Sequence, residues 1–453
     1  MRKRELNILK KISAILWLII AAIFPLKSAY GEARTLEREF DAVVIEGDNL
    51  PPMLGAMPEQ IRVYAVKNNT FEPIPFQIDE KNSEGQYSLE HGAMRHKDED
   101  PKFDRNDELV FMALDAGDRA ENVKPPEGAK GSIEVKISDP VDGKKAWVYI
   151  FGFKNPPEKS KKDYVNFSPK SDCVHTPYYS LCNKPETTWF DNITGKAPSG
   201  GNGEDYFDRI KLRSITKLRS LLFGLTFNVT ENDFSSKILS FKDGAVRVLK
   251  RTQVYFNFVG GIKLKTDISE NYHYYGYYMI PKSISSPFDL DSLATSSDLR
   301  LMSDFNEKII GNSYINPNME KPVLIDGRPS DEKRKIDGGK SAEWNVVFGP
   351  KGNLIERTLI DPSANVTWVQ VYRDDLETPD PPEDHKGVVA GFGKYFDMTG
   401  IKKGHYWFKT VIIFPKQPFD YKQTQFYLNI EDKPLEITVK PYGYEEQKNE
   451  TRN

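Results

Sequence analysis

A chain of 453 residues, 38 % hydrophobic and 12 % aromatic, is long enough for two or three domains with their own cores and too aromatic to be disordered. Beyond a basic N-terminus, its 63 Lys+Arg and 66 Asp+Glu are interspersed without a basic cluster, which argues against nucleic acid or anionic lipid as the main partner.

Arg2, Lys3, Arg4, Lys10 and Lys11 lead into an apolar run from Ile12 to Phe24, broken only by Ser13. Ala29 and Gly31 follow where signal peptidase requires small residues. The run is shorter than the ~20 residues of a bilayer-crossing helix. Residues 1–31 therefore read as a secretory signal peptide, and the mature chain as exported, periplasmic or extracellular, with no membrane span. Without that segment the chain keeps 57 basic and 65 acidic residues, a net charge of −8.

Strand alternation dominates the remainder. Residues 61–66 alternate with period two, and 71–78 form an extended run whose Pro73 and Pro75 suit an edge strand. Residues 108–113, 132–137 and 146–151 supply further strands, predicting an N-terminal β-sandwich over 32–154. Residues 155–204 read as a linker and loop region, polar at 155–163 and Gly-rich at 195–203. Between those stretches lie both cysteines, Cys173 and Cys182, the expected disulfide of an oxidising compartment.

Residues 205–445 predict a larger antiparallel β domain. Val246, Val248, Val254, Phe256 and Phe258 share a strand face, Gly260-Gly261 turns the hairpin, and Ile262, Leu264, Thr266 and Ile268 return opposite Lys263, Lys265 and Asp267. A second hairpin joins 344–348 to 354–360. Strands are also expected at 366–372, 406–414, 426–430 and 435–439, followed by a polar tail at 446–453.

The stretch Pro73-Ile74-Pro75-Phe76-Gln77-Ile78-Asp79-Glu80, followed by Asn106-Asp107-Glu108-Leu109-Val110-Phe111, resembles the opening of a group of exported bacterial β-sandwich proteins of unassigned activity. The long-stranded second half is similar in pattern to the supersandwich domains of sugar mutarotases and polysaccharide lyases. Both resemblances imply an all-β fold, an N-terminal sandwich followed by a larger supersandwich-like domain. Neither carries catalytic residues onto this chain.

Several groups of residues are candidate sites. Asp104, Asn106, Glu108 and Asp115 have the spacing of oxygen ligands in a structural calcium loop, although Leu109 stands where an EF-hand has Gly. His91 and His96 precede that loop and could assist a metal. In the run Asn271–Tyr278, period two puts Tyr272, Tyr274 and Tyr278 on one face and His273, Tyr275 and Tyr277 on the other. The polar company of His273 favours Tyr275 and Tyr277 as ligand-binding side chains. Trp189 and Trp368 are candidate aromatic platforms, Arg251 and Arg373 candidate cleft cations, and Asp374-Asp375 an acidic spot. His175, His385 and His405 complete the histidines without zinc spacing. Nucleophile elbow, phosphate-cradling loop and dinucleotide fingerprint are all missing. The expected role is a non-catalytic binding or assembly protein of the cell envelope, meeting a protein partner or a glycan. The alternative is a carbohydrate-active enzyme, a lyase, epimerase or hydrolase, working from the second domain.

Overall fold

The computed structural model describes residues 31–443 except 122, 223, 259–261, 287 and 380–387. Residues 1–30 of the segment expected as a signal peptide, the Gly260-Gly261 turn, His385 and the polar tail lie outside the described residues. The chain is all-β, built from antiparallel sheets. Among the described residues no helix is long and apolar enough to cross a membrane.

The first sandwich packs two sheets face to face. One orders Ala42–Glu46, Glu108–Met112 and Phe76–Asp79; the other orders Glu436–Pro441, Ala129–Ser138, Lys145–Phe153, Ile61–Lys67 and Thr70–Pro73. Val43, Ile45, Ile61, Val63, Leu109, Phe111, Val135 and Ile150 fill the space between them. Two expectations change here. The run 71–78 is not one strand: its first half pairs at the edge of the five-stranded sheet, and its second half crosses to the opposite sheet. Pro73 and Pro75 explain the break, because neither can donate a ladder hydrogen bond. The strand expected at 435–439 in the second domain instead pairs with Ala129–Ser138, so the chain returns to close the first sandwich.

The second sandwich sets a five-stranded sheet against a ten-stranded one. The smaller sheet orders Thr226–Thr230, Phe207–Leu218, Ala294–Phe305, Val388–Asp397 and Thr367–Asp375. The larger runs Val323–Leu324, Ser313–Ile315, Trp344–Phe348, Leu354–Ile360, Gly404–Ile413, Tyr277–Ser286, Ile262–Tyr274, Arg247–Phe258, Phe234–Asp243 and His91–Gly92. Phe207, Phe305, Tyr314, Val346, Phe392 and Ile412 belong to its core. The last edge strand comes from the first sandwich: His91 and Gly92 pair with Phe241 and Ser240, tying the loop that follows Asp79 onto the larger sheet.

Residues 426–430, expected as a strand, are helical within Thr424–Asp432. Asp420 and Gln423 form a capping box just before the helix, and Thr424, Tyr427 and Leu428 fall on its buried side at helical spacing. Residues 155–204 are not merely a linker. They contain a four-stranded meander of Asn166–Ser168, Cys173–His175, Tyr179–Asn183 and Phe190–Gly195, in which Cys173 faces Cys182 and bonds to it. The Gly-rich turn after it is packed rather than free: a Cβ on Gly201 would meet the Gly195 carbonyl oxygen at 2.0 Å. The hairpin return at 262–268 also departs from the wet-face, dry-face reading, since both of its faces are exposed.

Candidate functional site

A groove of about 720 Å³ opens on one face of the ten-stranded sheet. Five neighbouring strands form its floor, and alternation puts Arg251, Ile268, Glu270, Tyr272, Pro281, Leu359, Trp407 and Lys409 on it. Arg251 lies opposite Glu270 in register, and Leu359, Lys409 and Pro281 share one row across three strands. Gln86 and His96 line it from the loop that the first sandwich lays over the sheet.

The polar groups of the groove hold one another in place. Arg251 donates from Nε and Nη2 to Glu270 Oε1 at 2.9 and 2.8 Å, and from Nη1 to the Met94 carbonyl at 3.1 Å. The same guanidinium thus fixes a floor carboxylate and pins the overlying loop. Tyr272 donates its hydroxyl to Glu270 Oε2 at 3.1 Å, and its ring meets Tyr87 edge-on. Burial, reinforced by the Glu270 charge, raises the Tyr272 phenol well above its ordinary range, so it stays a donor. Lys409 reaches Glu431 of the helix Thr424–Asp432 at 2.5 Å. Trp407 is 47 % exposed, a large apolar surface left beside this ordered polar set.

The arrangement is that of a preorganised polar set beside an exposed indole. Glu270 is the one carboxylate among the lining residues, and Arg251 and Tyr272 already engage it. Most glycoside hydrolases use two carboxyl groups facing each other across the substrate, an arrangement the lining of this groove does not contain.

Of the residues singled out in the sequence, Arg251, His96 and, from the aromatic run, Tyr272 line the groove; the others do not. The strand parity drawn through 271–278 fails because the chain turns at Tyr275-Gly276 and resumes at Tyr277. Gly276 is required there, since a Cβ would sit 2.0 Å from the Phe40 ring. The turn resets the faces: Tyr274 stacks on Tyr277 at 4.4 Å, while His273 faces Tyr278 across the ladder. His273 and Tyr277 are consequently buried, 1 % and 3 % exposed, and unavailable to a ligand. Tyr275 packs into the rings of Tyr164 and Tyr178. Trp368 belongs to the other sheet, with Lys394 Nζ 4.9 Å from its ring centre. Arg373, on that sheet's edge strand, donates to the carbonyls of Thr378 and Pro379. Trp189 donates to the Glu231 carbonyl. Asp374 is buried against Lys333, and Asp375 caps the turn that follows.

The four expected calcium ligands are not brought together. Glu108 is held by Lys81 and Arg247, and Asp115 by the Tyr164 hydroxyl and Lys162. Asp104 caps the Asn106 amide, and Asn106 donates to the Asn82 carbonyl. Among the described residues no three His, Cys, Asp or Glu side chains are grouped to hold a metal ion. Strand formation over Glu108–Met112 explains the dispersal, because an extended run at ~3.3 Å per residue carries Asp115 far from Asp104 and Asn106.

Sequence reasoning passed over Glu270, Lys409 and Trp407, and it placed Tyr272 on the face it did not favour for a ligand. A signal existed in 406–413: Trp407 and Lys409 alternate with Phe408 and Thr410, which marks a face that is both aromatic and wet.

No family model and no curated protein matches the chain. Among solved structures, an α-mannosidase from Enterococcus faecalis is similar over 92 % of this chain and 45 % of its own, with 11 % identity and a TM-score of 0.43. A glycosyl hydrolase family 38 protein from the same organism gives 10 % identity and 0.43 over 93 % and 47 %. An α-N-acetylgalactosaminidase from Bifidobacterium bifidum gives 12 % and 0.34 over 57 % and 38 %. The chain spans less than half the length of each of these proteins, and likeness at this level carries no argument about activity.

Proposed function

We propose that this chain is an exported protein of the cell envelope that binds a neutral glycan, without catalysis, in the groove of the ten-stranded sheet. The observation that carries the reading is Trp407, an exposed indole beside the fixed Arg251–Glu270 pair and the Tyr272 hydroxyl. Sugars offer apolar ring faces to aromatic side chains and hydroxyl groups to preorganised polar ones. Arg251 and Lys409 are each matched by a carboxylate, so the groove presents no surplus charge to select an ionic ligand. Export rests on the basic, apolar and small-residue order of residues 1–31, and the Cys173–Cys182 bond fits an oxidising compartment.

Titration with a panel of neutral oligosaccharides, followed by tryptophan fluorescence and calorimetry, tests this reading. Saturable binding that Trp407→Ala weakens is the expected result. Failure to bind any neutral glycan overturns the glycan assignment, and release of new reducing ends or unsaturated products overturns the non-catalytic one.

A further inference from the structure

The five-stranded sheet ends on Thr226–Thr230, which pairs on one side with Phe207–Leu218 and on the other with no strand among the described residues. An open edge presents a row of backbone donors and acceptors, and natural sheets blunt such edges with charge, proline or brevity. The other edges of the five- and ten-stranded sheets follow that rule. Thr70–Pro73 carries Glu72 and Pro73, Glu436–Pro441 carries Lys440 and Pro441, and Thr367–Asp375 carries Arg373 and two aspartates. His91–Gly92 and Val323–Leu324 are two residues long. The edge Thr-Phe-Asn-Val-Thr has no charge and no proline within it; Asp233 just beyond accepts the Thr230 amide, so the open backbone groups are those of Thr226 and Asn228, and exposed Phe227, Leu225 and Leu221 accompany them.

We propose that a second copy of this chain docks on this edge by antiparallel strand pairing about a two-fold axis at Asn228. The sequence of the strand selects that occupant, because it is complementary to itself in that register. Thr226 meets Thr230 of the second copy, Phe227 meets its Val229, and Asn228 meets its counterpart on the axis. Thr–Thr and aromatic–β-branched pairs are both favourable across strands. Phe227 and Val229 of each copy join on one face, where they cover each other. The nearest ion pair, Arg213 with Glu231, is neutralised within its own chain, so no like charges oppose across the axis. The contact is isologous and closes as a dimer, merging two five-stranded sheets into one. The inference is independent of the glycan reading.

Sedimentation of the full chain over a range of concentrations tests it. The expected result is a concentration-dependent dimer whose dissociation constant rises at least tenfold in Asn228→Lys, which opposes two ammonium groups on the axis. Circular dichroism and thermal unfolding verify that the variant folds. Register is read by cross-linking, with both native cysteines already joined to each other. Asn228→Cys alone should form a disulfide dimer, whereas Phe227→Cys should do so only when mixed with Val229→Cys. A monomer at every soluble concentration overturns the proposal, as does a dimer indifferent to Asn228→Lys. Cross-linking by Phe227→Cys alone, as efficient as by Asn228→Cys, overturns it too. Pairing of this edge with a different protein's strand, while the chain itself stays monomeric, counts against a second copy as the occupant.

Discussion

Arg247 of the ten-stranded sheet brings its Nη2 to 2.5 Å from Glu108 Oε2 and 2.8 Å from Asp79 Oδ2, both on the three-stranded sheet of the first sandwich. All three residues are buried. Gln77 reinforces the join by accepting the Val246 and Arg247 amides. Removing one partner of such a set strands the remaining charges, which costs about 3–5 kcal/mol, whereas replacing the whole set with apolar residues costs far less. Arg247→Met is therefore expected to lower the urea-unfolding free energy by about that amount. Asp79→Leu and Glu108→Leu added to it, together with Lys81→Met and Lys242→Met at the cations that pair the same carboxylates, should restore most of the loss. Equal destabilisation by the single and the fully apolar variants would refute this account.

The same cluster sets an acid limit. Arg247 and its neighbouring cations hold the Asp79 and Glu108 carboxyls below their ordinary values of 3.8 and 4.5, against the opposing effect of burial. A lowered folded value means their contribution is complete above about pH 4.5 and is lost as the pH falls through the lowered values. Asp107 runs the other way. Burial, with Asp104 and Asp98 nearby, pushes its carboxyl up to about 6 from an ordinary 3.8. Folding then takes up a proton, so its contribution grows as the pH falls from about 6 towards 4. Stability measured by denaturant at several pH values should rise gently on acidification below neutrality and then collapse below about pH 4. Asp107→Asn should lessen the gentle rise, to which Asp41, Glu80 and Glu356, also raised by desolvation, contribute, and leave the collapse in place.

An alkaline counterpart lies between the sheets of the second sandwich. Burial lowers the Lys394 ammonium to about 8 from 10.5, with Glu356 only partly offsetting it. The unfolded chain then binds more protons, so stability should increase as the pH rises from about 8 to 10. Lys394→Met should abolish that slope, checked by thermal unfolding across the range.

In the groove, Trp407→Ala should weaken glycan affinity by about tenfold or more, an aromatic contact being worth roughly 1 kcal/mol beyond its buried area. Arg251→Lys keeps the charge but cannot reach Glu270 and the Met94 carbonyl together. A several-fold loss of affinity with a more mobile 86–96 loop, read by hydrogen exchange, is expected. Unchanged exchange in that loop would contradict the pinning role of Arg251.

The Cys173–Cys182 bond closes a ring of ten residues and should be worth about 2–3 kcal/mol through the unfolded chain. The double change Cys173→Ser and Cys182→Ser should lower unfolding free energy accordingly while leaving groove binding intact, because neither cysteine lines it.

Period-two patterning is a local property, and it determined the all-β character and most of the individual strands. With two cysteines in the chain, the disulfide had one solution. Helix Thr424–Asp432 escaped because an apolar run as short as 426–430 fits either period, and its capping box lies outside the run. What surrounds a strand face depends on partners more than a hundred residues away. Arg247 claims Glu108 across 139 residues, and Arg251 meets Met94 across 157. The turn at Tyr275-Gly276, where the Phe40 ring leaves no room for a Cβ, reverses which aromatic side chains share a face. The groove is a product of those long-range pairings: strand alternation supplied its floor, and the folding of the first sandwich onto the larger sheet decided which floor residues stayed open.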